Sequence, residues 1–269
     1  MVLPGSHIST TLGRMGVMRA RWFFVAAVGV VLAAASAAEA STSRAHGRIT
    51  VLAASSLADV LPRLDPAPRY SFGGSDTLAS QLELGAPADV FAAANTRLPE
   101  RLYVAGLVER PVVFTANRLV LVVPRANPAR LRSVYDLRRK GVTLLVGAAT
   151  VPIGAYTRTA LTRLGLTGVL DRVVSEEGDA RSILGKVGLG EADAGFVYAT
   201  DARSLAGKVK VIALPPKAQP IVRYAVAVVR SSGRRTVALA FVQRLLSRAG
   251  QAKLAAAGFV APGAPSGGS

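Results

Sequence analysis

Residues 49–57 read ITVLAASSL, an apolar run that predicts a buried strand and ends in small residues and two serines. Residues 71–77 (SFGGSDT) repeat this arrangement, and each junction precedes a segment that predicts a helix. A strand that stops at small residues leaves room for a ligand, and the next helix presents unpaired backbone N–H groups and its positive dipole end. The two junctions therefore indicate an anion site, although a serine before a helix is most often only an N-cap.

Short apolar segments alternate with predicted helices along the rest of the chain. A loop rich in helix breakers at residues 124–128 (PRANP) separates a first series from a second, and the last predicted helix covers residues 235–257. This alternation is typical of parallel α/β sheets, in which ligands gather at the carboxyl ends of the strands. Two extended segments, near residues 119–123 and 221–229, would join two lobes and leave a cleft between them, which is a common place for a ligand.

The N-terminus has the pattern of a secretory signal. Three arginines precede an uncharged run at residues 22–38, and two A-x-A patterns lead up to Ala40. We predict that residues 1–40 are a signal peptide cleaved after Ala40, so that the protein is exported to a periplasmic or other extracytoplasmic space. The alternative is an uncleaved membrane anchor, because the run approaches the ~17-residue lower limit for a membrane span.

Composition argues against several classes of protein. Without cysteine the chain has no disulfide, no thiolate metal site and no catalytic thiol. The net charge is +17, and without residues 1–40 there remain 30 basic and 15 acidic residues, a net charge of +15. The basic residues are scattered and have few aromatic residues between them, whereas a nucleic-acid binder usually gathers charge on one face or interleaves it with stacking rings. We therefore expect no nucleic-acid partner.

Clustered serines in an exported protein also suit a serine hydrolase, which needs a base. His7 lies in the predicted signal and His46 in the polar segment before the first strand, so the core has no histidine for a Ser-His-acid triad. The acidic residues at 176–179 and 191–193 suit helix ends better than a metal site. An exported hydrolase that uses a cleft serine remains the alternative to a binding protein.

Six ordered motifs resemble the periplasmic molybdate-binding proteins of ABC transporters. They are residues 49–57 and 71–75, quoted above, with 81–91 (QLELGAPADVF), 117–124 (NRLVLVVP), 151–156 (VPIGAY) and 190–198 (GEADAGFVY). The resemblance extends from about residue 49 to residue 259. It implies an α/β, two-lobed periplasmic-binding-protein fold of type II with a two-strand hinge. Such a protein closes on a tetrahedral dianion, molybdate or tungstate, and delivers it to a membrane permease.

The implied organisation makes the first lobe discontinuous. Residues 48–120 and 223–262 would form the first lobe, residues 121–222 the second lobe, and residues 263–269, rich in Gly, Pro and Ser, a disordered tail. We expect a monomer that is not an enzyme and needs no cofactor. A receptor for another oxyanion, such as sulfate, is an alternative within the same fold.

The resemblance places five oxyanion donors in the cleft, all of which donate hydrogen bonds, as a fully ionised dianion requires. They are the hydroxyl and backbone N–H groups of Ser56 and Ser75, the backbone N–H groups of Ile153 and Ala180, and the hydroxyl of Tyr198. Molybdenum or tungsten would enter only as the oxyanion, through these same residues. Each residue also has a reading without a ligand: the serines as N-caps, Ile153 as a core residue, Ala180 as a helix start, and Tyr198 as a buried ring.

Three departures from the family pattern bear on selectivity. Asp76 follows Ser75 where a small neutral residue is usual, and it either complements the helix dipole or repels the dianion. Asn95 replaces a common aspartate, which we expect to be neutral for binding. Residues 147–150 (GAAT) lack an Asp-Pro pair, so the loop that carries Ile153 would be set differently. Hydrogen phosphate should bind poorly because its proton meets no acceptor unless Asp76 turns inward, whereas sulfate must be rejected by size.

Overall fold

Two five-stranded sheets form the framework of the computed structural model, which describes residues 47–263. The first sheet consists of β1 (Thr50–Ala54), β2 (Arg69–Gly73), β3 (Val90–Ala93), β4 (Val112–Asn117) and β10 (Val222–Val228). Its strand order is β2-β1-β3-β10-β4. Strands β1, β2 and β3 are parallel, and β10 runs antiparallel between β3 and β4.

The second sheet has the same plan. It consists of β5 (Leu119–Pro124), β6 (Leu144–Gly147), β7 (Val173–Glu177), β8 (Ala194–Tyr198) and β9 (Val209–Ala213), in the order β7-β6-β8-β5-β9. Strands β6, β7 and β8 are parallel, and β5 runs antiparallel between β8 and β9. Helices flank both sheets, and the α/β two-lobed architecture predicted from the sequence is confirmed.

Eight α-helices and four short 3₁₀ turns connect the strands within the described residues. The helices are α1 (Leu61–Leu64), α2 (Ser75–Glu83), α3 (Arg97–Val104), α4 (Pro152–Arg163), α5 (Ala180–Leu189), α6 (Ala199–Ser204), α7 (Arg235–Leu246) and α8 (Arg248–Ala256). The 3₁₀ turns are Ser55–Leu57, Val134–Arg138, Thr167–Arg172 and Pro216–Ala218.

The chain passes between the two sheets twice. Arg118 is the single residue between β4 and β5, and residues 214–221 return the chain from β9 to β10. The two extended segments expected to join the lobes are strands β5 and β10, and each pairs with a strand on both sides. Hydrogen bonds within the sheets therefore fix the chain next to each crossing. The side chain of Gln219 joins the two crossings, because it accepts a hydrogen bond from the Leu119 N–H (3.1 Å) and donates one to the Leu119 carbonyl (2.8 Å).

The single helix predicted over residues 235–257 is wrong, since the structure has two helices there. Ser247 adopts an extended conformation between α7 and α8, and its hydroxyl oxygen accepts a hydrogen bond from the Gly250 N–H. Gly250 has no room for a Cβ, because the Arg244 carbonyl oxygen lies too close. An N-cap serine with a small residue in the next turn therefore breaks a continuous amphipathic pattern into two packed helices.

Across residues 47–263 every helix is too short or too polar to span a membrane. The predicted signal peptide and all but the first residue of the predicted C-terminal tail lie outside the described residues.

Candidate functional site

A small cavity lies at the carboxyl ends of β1, β2 and β8, between the two sheets. Its volume is about 20 Å³, on the scale of one or two water molecules, so it suits only a compact ligand. All five donors named from the sequence line it: Ser56, Ser75, Ile153, Ala180 and Tyr198. The structure thus brings together residues from both halves of the chain.

Two helices begin at the cavity without a side-chain cap. Helix α2 follows Gly74, and α4 follows Val151; neither residue offers a side chain that can accept a hydrogen bond. The first N–H groups of a helix have no partner inside it, and they carry the positive end of its dipole. The starts of α2 and α4, with Ser75 and Ile153, therefore present unclaimed donors to the cavity.

Helix α5 begins at the cavity under a different arrangement. The carboxylate of Asp179 accepts hydrogen bonds from the backbone N–H groups of Arg181 (2.7 Å) and Ser182 (3.1 Å). These two bonds bypass Ala180, the first residue of the helix, which faces the cavity. The Ala180 N–H thus remains for a ligand, while Asp179 is a helix cap, as one reading of the sequence proposed.

Neither Ser56 nor Ser75 caps a helix, so the N-cap reading of these serines is wrong. The Ser75 oxygen accepts a hydrogen bond from the Ala94 N–H (3.1 Å). The Ser56 oxygen lies 2.8 Å from the hydroxyl oxygen of Tyr224. Both serines are buried. Each lines the cavity and is fixed by a hydrogen bond to a residue in, or directly after, a strand of the first sheet.

The hydroxyl of Tyr198 has no hydrogen-bond partner among residues 47–263, although it is buried. Burial raises the pKa of Tyr198 well above its usual value, so the hydroxyl keeps its proton. The ring is fixed by tilted packing against Tyr156 and Tyr224. An unpartnered buried hydroxyl is costly, and a ligand in the cavity would satisfy it.

The two halves of the molecule touch beside the cavity at a pair of glycines. Gly74 follows β2 of the first sheet and Gly178 follows β7 of the second. A Cβ built on Gly74 would lie well under 3.0 Å from the Gly178 carbonyl oxygen, closer than real Cβ atoms come. Arg181 adds an ion pair to Asp59 from the other half. These contacts describe lobes that are closed around the cavity.

The loop before α4 still brings Ile153 to the cavity, despite the missing Asp-Pro pair. It turns through a hydrogen bond from the Val151 N–H to the Ala148 carbonyl (3.1 Å). Gly154 allows the close approach, because a Cβ there would collide with the backbone oxygens of Gly147 and Ala148.

Asp76 lies in the first turn of α2 and does not line the cavity. Its Oδ1 atom is buried and has no hydrogen-bond partner within the part of the chain that the structure describes. That atom lies beside Gly74, on the side where Gly178 approaches. The structure therefore places Asp76 at the contact between the lobes, where its charge complements the dipole of α2.

A larger groove of about 620 Å³ adjoins the cavity and shares Ser56 with it. Arg63, Arg203 and Lys253 line this groove, together with Asp59. Three cations and one carboxylate give the groove a positive lining, which raises the local concentration of anions.

Asp201, which carries no functional signal in the sequence, is fully buried behind the cavity in α6. Its Oδ1 atom lies 3.4 Å from Nε of Arg181. Burial raises the pKa of Asp201 to about 7, although Arg181 opposes the shift. Between about pH 4 and 7 the folded protein therefore holds a proton that the unfolded chain releases.

We expect Asp201→Asn to flatten the pH dependence of stability. In the wild type, the contribution of Asp201 to the free energy of unfolding should fall by roughly 4 kcal/mol as the pH rises from 4 to 7, and then level off, because the raised pKa disfavours the charged folded form. Urea titrations across this range, with Asp193→Asn as the control, measure the difference between the two variants. Parallel curves for wild type and Asp201→Asn would show that Asp201 is ionised in the fold.

The sequence of the chain matches a family of known proteins. Residues 49–260 match the family model of the bacterial extracellular solute-binding proteins. The molybdate-binding protein ModA of Mycobacterium tuberculosis is 39% identical over 194 residues, which cover 72% of this chain and 73% of that protein.

Solved structures share the fold. The periplasmic molybdate-binding protein of Azotobacter vinelandii has a TM-score of 0.72 at 23% identity, over 80% of this chain and 100% of that one. The sulfate-binding protein SubI of Mycobacterium tuberculosis has a TM-score of 0.71 at 20% identity, over 82% of this chain and 89% of that one. The fold alone does not separate these two ligands. The chain belongs to the bacterial extracellular solute-binding protein family.

Proposed function

We propose that this protein is an extracytoplasmic receptor that captures molybdate or tungstate and delivers it to the permease of an ABC transporter. The observation that carries the proposal is the cavity of about 20 Å³, lined by donors from both halves of the chain. The relative named a molybdate-binding protein, at 39% identity, supports the choice of ligand.

Five residues would bind the oxyanion. Ser56 and Ser75 would donate their hydroxyl and backbone N–H groups, Ile153 and Ala180 their backbone N–H groups, and Tyr198 its hydroxyl. Hydrogen bonds to a charged group contribute about 1.5–3 kcal/mol each, so five of them leave room for tight binding after the cost of association. Among residues 47–263 no arginine or lysine lines this cavity, and the helix starts would supply the positive potential.

The metal would enter only as the oxyanion. Residues 47–263 contain no group of His, Cys, Asp and Glu side chains that could hold a metal ion. The chain crosses between the sheets at Arg118 and at residues 214–221, which supports a first lobe of residues 48–120 and 223–262 and a second lobe of residues 121–222, except that residues 119–120 pair in the second sheet and Val222 pairs in the first.

We further propose that the protein is a monomer without enzymatic activity and without a nucleic-acid partner. Ser56 and Ser75 bond to Tyr224 and to the Ala94 N–H, and neither bonds to a base that would take its proton. A fluorophosphonate should therefore label neither serine, and labelling of either one would favour the exported hydrolase.

Titration with molybdate, tungstate, sulfate and phosphate tests the ligand. If molybdate is present at about 1,000 times its Kd, it adds about 4 kcal/mol to the free energy of unfolding, and the Tm of a chain of this size should rise by roughly 10 °C. Calorimetry and thermal melts of the purified protein measure both effects, and phosphate serves as the negative control. The absence of both a heat signal and a Tm shift with millimolar molybdate would contradict the proposal. A stronger response to sulfate would favour the sulfate receptor.

A further inference from the structure

We infer that Tyr224, oriented by Asn117, fixes Ser56 as a hydrogen-bond donor and thereby selects oxyanions that carry no proton. The inference rests on the proposed function, because it concerns how the same cavity chooses its ligand. Tyr224 does not line the cavity. It is a positioning residue that acts through Ser56.

The orientation of the Asn117 side chain is set by the backbone. Its Oδ1 atom accepts a hydrogen bond from the Arg118 N–H (2.9 Å). An N–H group can only donate, so oxygen must occupy that side of the amide, and Nδ2 must occupy the other. Nδ2 donates to the Thr200 hydroxyl oxygen (2.9 Å) and to the Tyr224 hydroxyl oxygen (3.3 Å).

The direction of the next hydrogen bond follows from this orientation. Because the Tyr224 oxygen accepts from Asn117, its own proton is free to donate, and the Ser56 oxygen lies 2.8 Å away. Burial raises the pKa of Tyr224 well above its usual value, so the proton is retained. Tyr224 therefore donates to Ser56, and the Ser56 proton is left to point at the cavity.

Ser75 is fixed in the same sense. Its oxygen accepts a hydrogen bond from the Ala94 N–H, so its proton also remains for the cavity. A fully ionised oxyanion accepts from both serines. Hydrogen phosphate presents one hydroxyl that needs an acceptor, and Ser56 or Ser75 can accept it through the remaining lone pair only by turning its own proton away from the ion, which removes one donor to the ligand. Ser55 and Tyr198 contribute two further hydroxyls to the cavity, and no hydrogen bond within residues 47–263 sets the direction of the Tyr198 hydroxyl.

The chain of hydrogen bonds also spans the two halves of the molecule. Asn117 is the last residue of β4, directly before the crossing at Arg118, and Tyr224 lies in β10, just after the return crossing. Thr200 belongs to α6, which follows β8 of the second sheet. The donor direction at Ser56 is therefore set at the junction of the lobes.

A double-mutant cycle with Ser56→Ala tests the inference. Tyr224→Phe removes the hydroxyl and keeps the ring packed against Phe114 and Phe259. It should raise the molybdate Kd by about tenfold. It should also lower the ratio of the phosphate Kd to the molybdate Kd. In the Ser56→Ala background the same change should have no further effect on the molybdate Kd, because Tyr224 acts through Ser56.

Tyr70→Phe is the matched control. Tyr70 donates to the carbonyl oxygens of Leu61 (3.2 Å) and Asp65 (2.6 Å), and it does not line the cavity. Its loss should lower stability and leave the molybdate Kd unchanged. Such a result would show that losing a buried tyrosine hydrogen bond does not by itself weaken molybdate binding. The effect of Tyr224→Phe on the molybdate Kd could then be assigned to the changed orientation of the Ser56 hydroxyl.

If Tyr224→Phe does not fold, Asn117→Asp provides the same test. Both carboxylate oxygens accept, so Tyr224 would donate to residue 117 instead of to Ser56, and the molybdate Kd should rise. Asn95→Asp adds the same charge beside Ala94, which lines the cavity, and controls for electrostatics.

Two results would overturn the inference: a molybdate Kd that Tyr224→Phe changes by less than twofold, or an equal effect of Tyr224→Phe with and without Ser56. In both cases the wild type still binds molybdate, so the proposed function stands. A wild type that binds none of the four oxyanions would overturn both proposals. If sulfate proves to be the ligand, the same cycle is measured with sulfate.

Discussion

Ser56→Ala combined with Ser75→Ala should lower the affinity for molybdate by roughly 10²–10⁴-fold. Each serine hydroxyl would donate one hydrogen bond to the ion, and two such bonds contribute about 3–6 kcal/mol. Calorimetric titration measures the loss directly. The thermal shift with millimolar molybdate should also shrink, because stabilisation by a ligand depends on the logarithm of the ratio of its concentration to Kd.

Ser80→Ala is the control for the serine pair. Ser80 lies in α2, the helix that Ser75 begins, but it is exposed and does not line the cavity. It should leave the molybdate Kd unchanged. The double variant itself should melt a few degrees lower without ligand, because the Ala94 N–H loses its acceptor. Binding by the double variant within threefold of wild type would rule these serines out as donors.

The two sheets could be predicted because most of their strands are buried on both faces and read as continuous apolar runs. Strands β3, β5 and β8 are buried at every position. Strand β7 (VVSEE) escaped prediction because it lies at the edge of its sheet, and its residues alternate between half-buried and exposed until Glu177. In β7 the apolar signal on which the prediction depends is therefore weak.

The cavity could be predicted at the junctions between strands and helices, since Ser56 and Ser75 follow strands directly in the sequence. Tyr224 and Asn117 carried no such signal. They lie 107 residues apart in two strands, and they meet because β10 pairs with β4. Asp201 likewise reads as an ordinary acid in the first turn of a helix, and only the fold buries it.

Gly74→Ala should weaken molybdate binding by about 100-fold or more while the ligand-free protein stays folded. The backbone at Gly74 has φ −61° and ψ 132°, which any residue adopts, so glycine is not required for the turn. It is required for space, because the added Cβ would collide with the Gly178 carbonyl oxygen of the other lobe. The collision disappears if the lobes move apart, so the variant should fold but not close.

Closure contributes to affinity because it brings the donors of the second lobe to the ion. A protein held open would retain Ser56 and Ser75 and lose the contacts of Ile153, Ala180 and Tyr198, which explains why one methyl group should have so large an effect. Small-angle scattering should show that molybdate reduces the radius of gyration of the wild type but not of Gly74→Ala.

Gly185→Ala is the matched control for Gly74→Ala. Gly185 lies in α5, and nothing lies within 4 Å of a Cβ built there, so alanine should leave closure and the molybdate Kd unchanged. The melting temperature of ligand-free Gly74→Ala should stay close to that of the wild type, because the added methyl group is accommodated when the lobes separate. Wild-type affinity in Gly74→Ala would mean that the contact between Gly74 and Gly178 is not part of the ligand-bound state, and that the donors of the second lobe reach the ion in a more open arrangement.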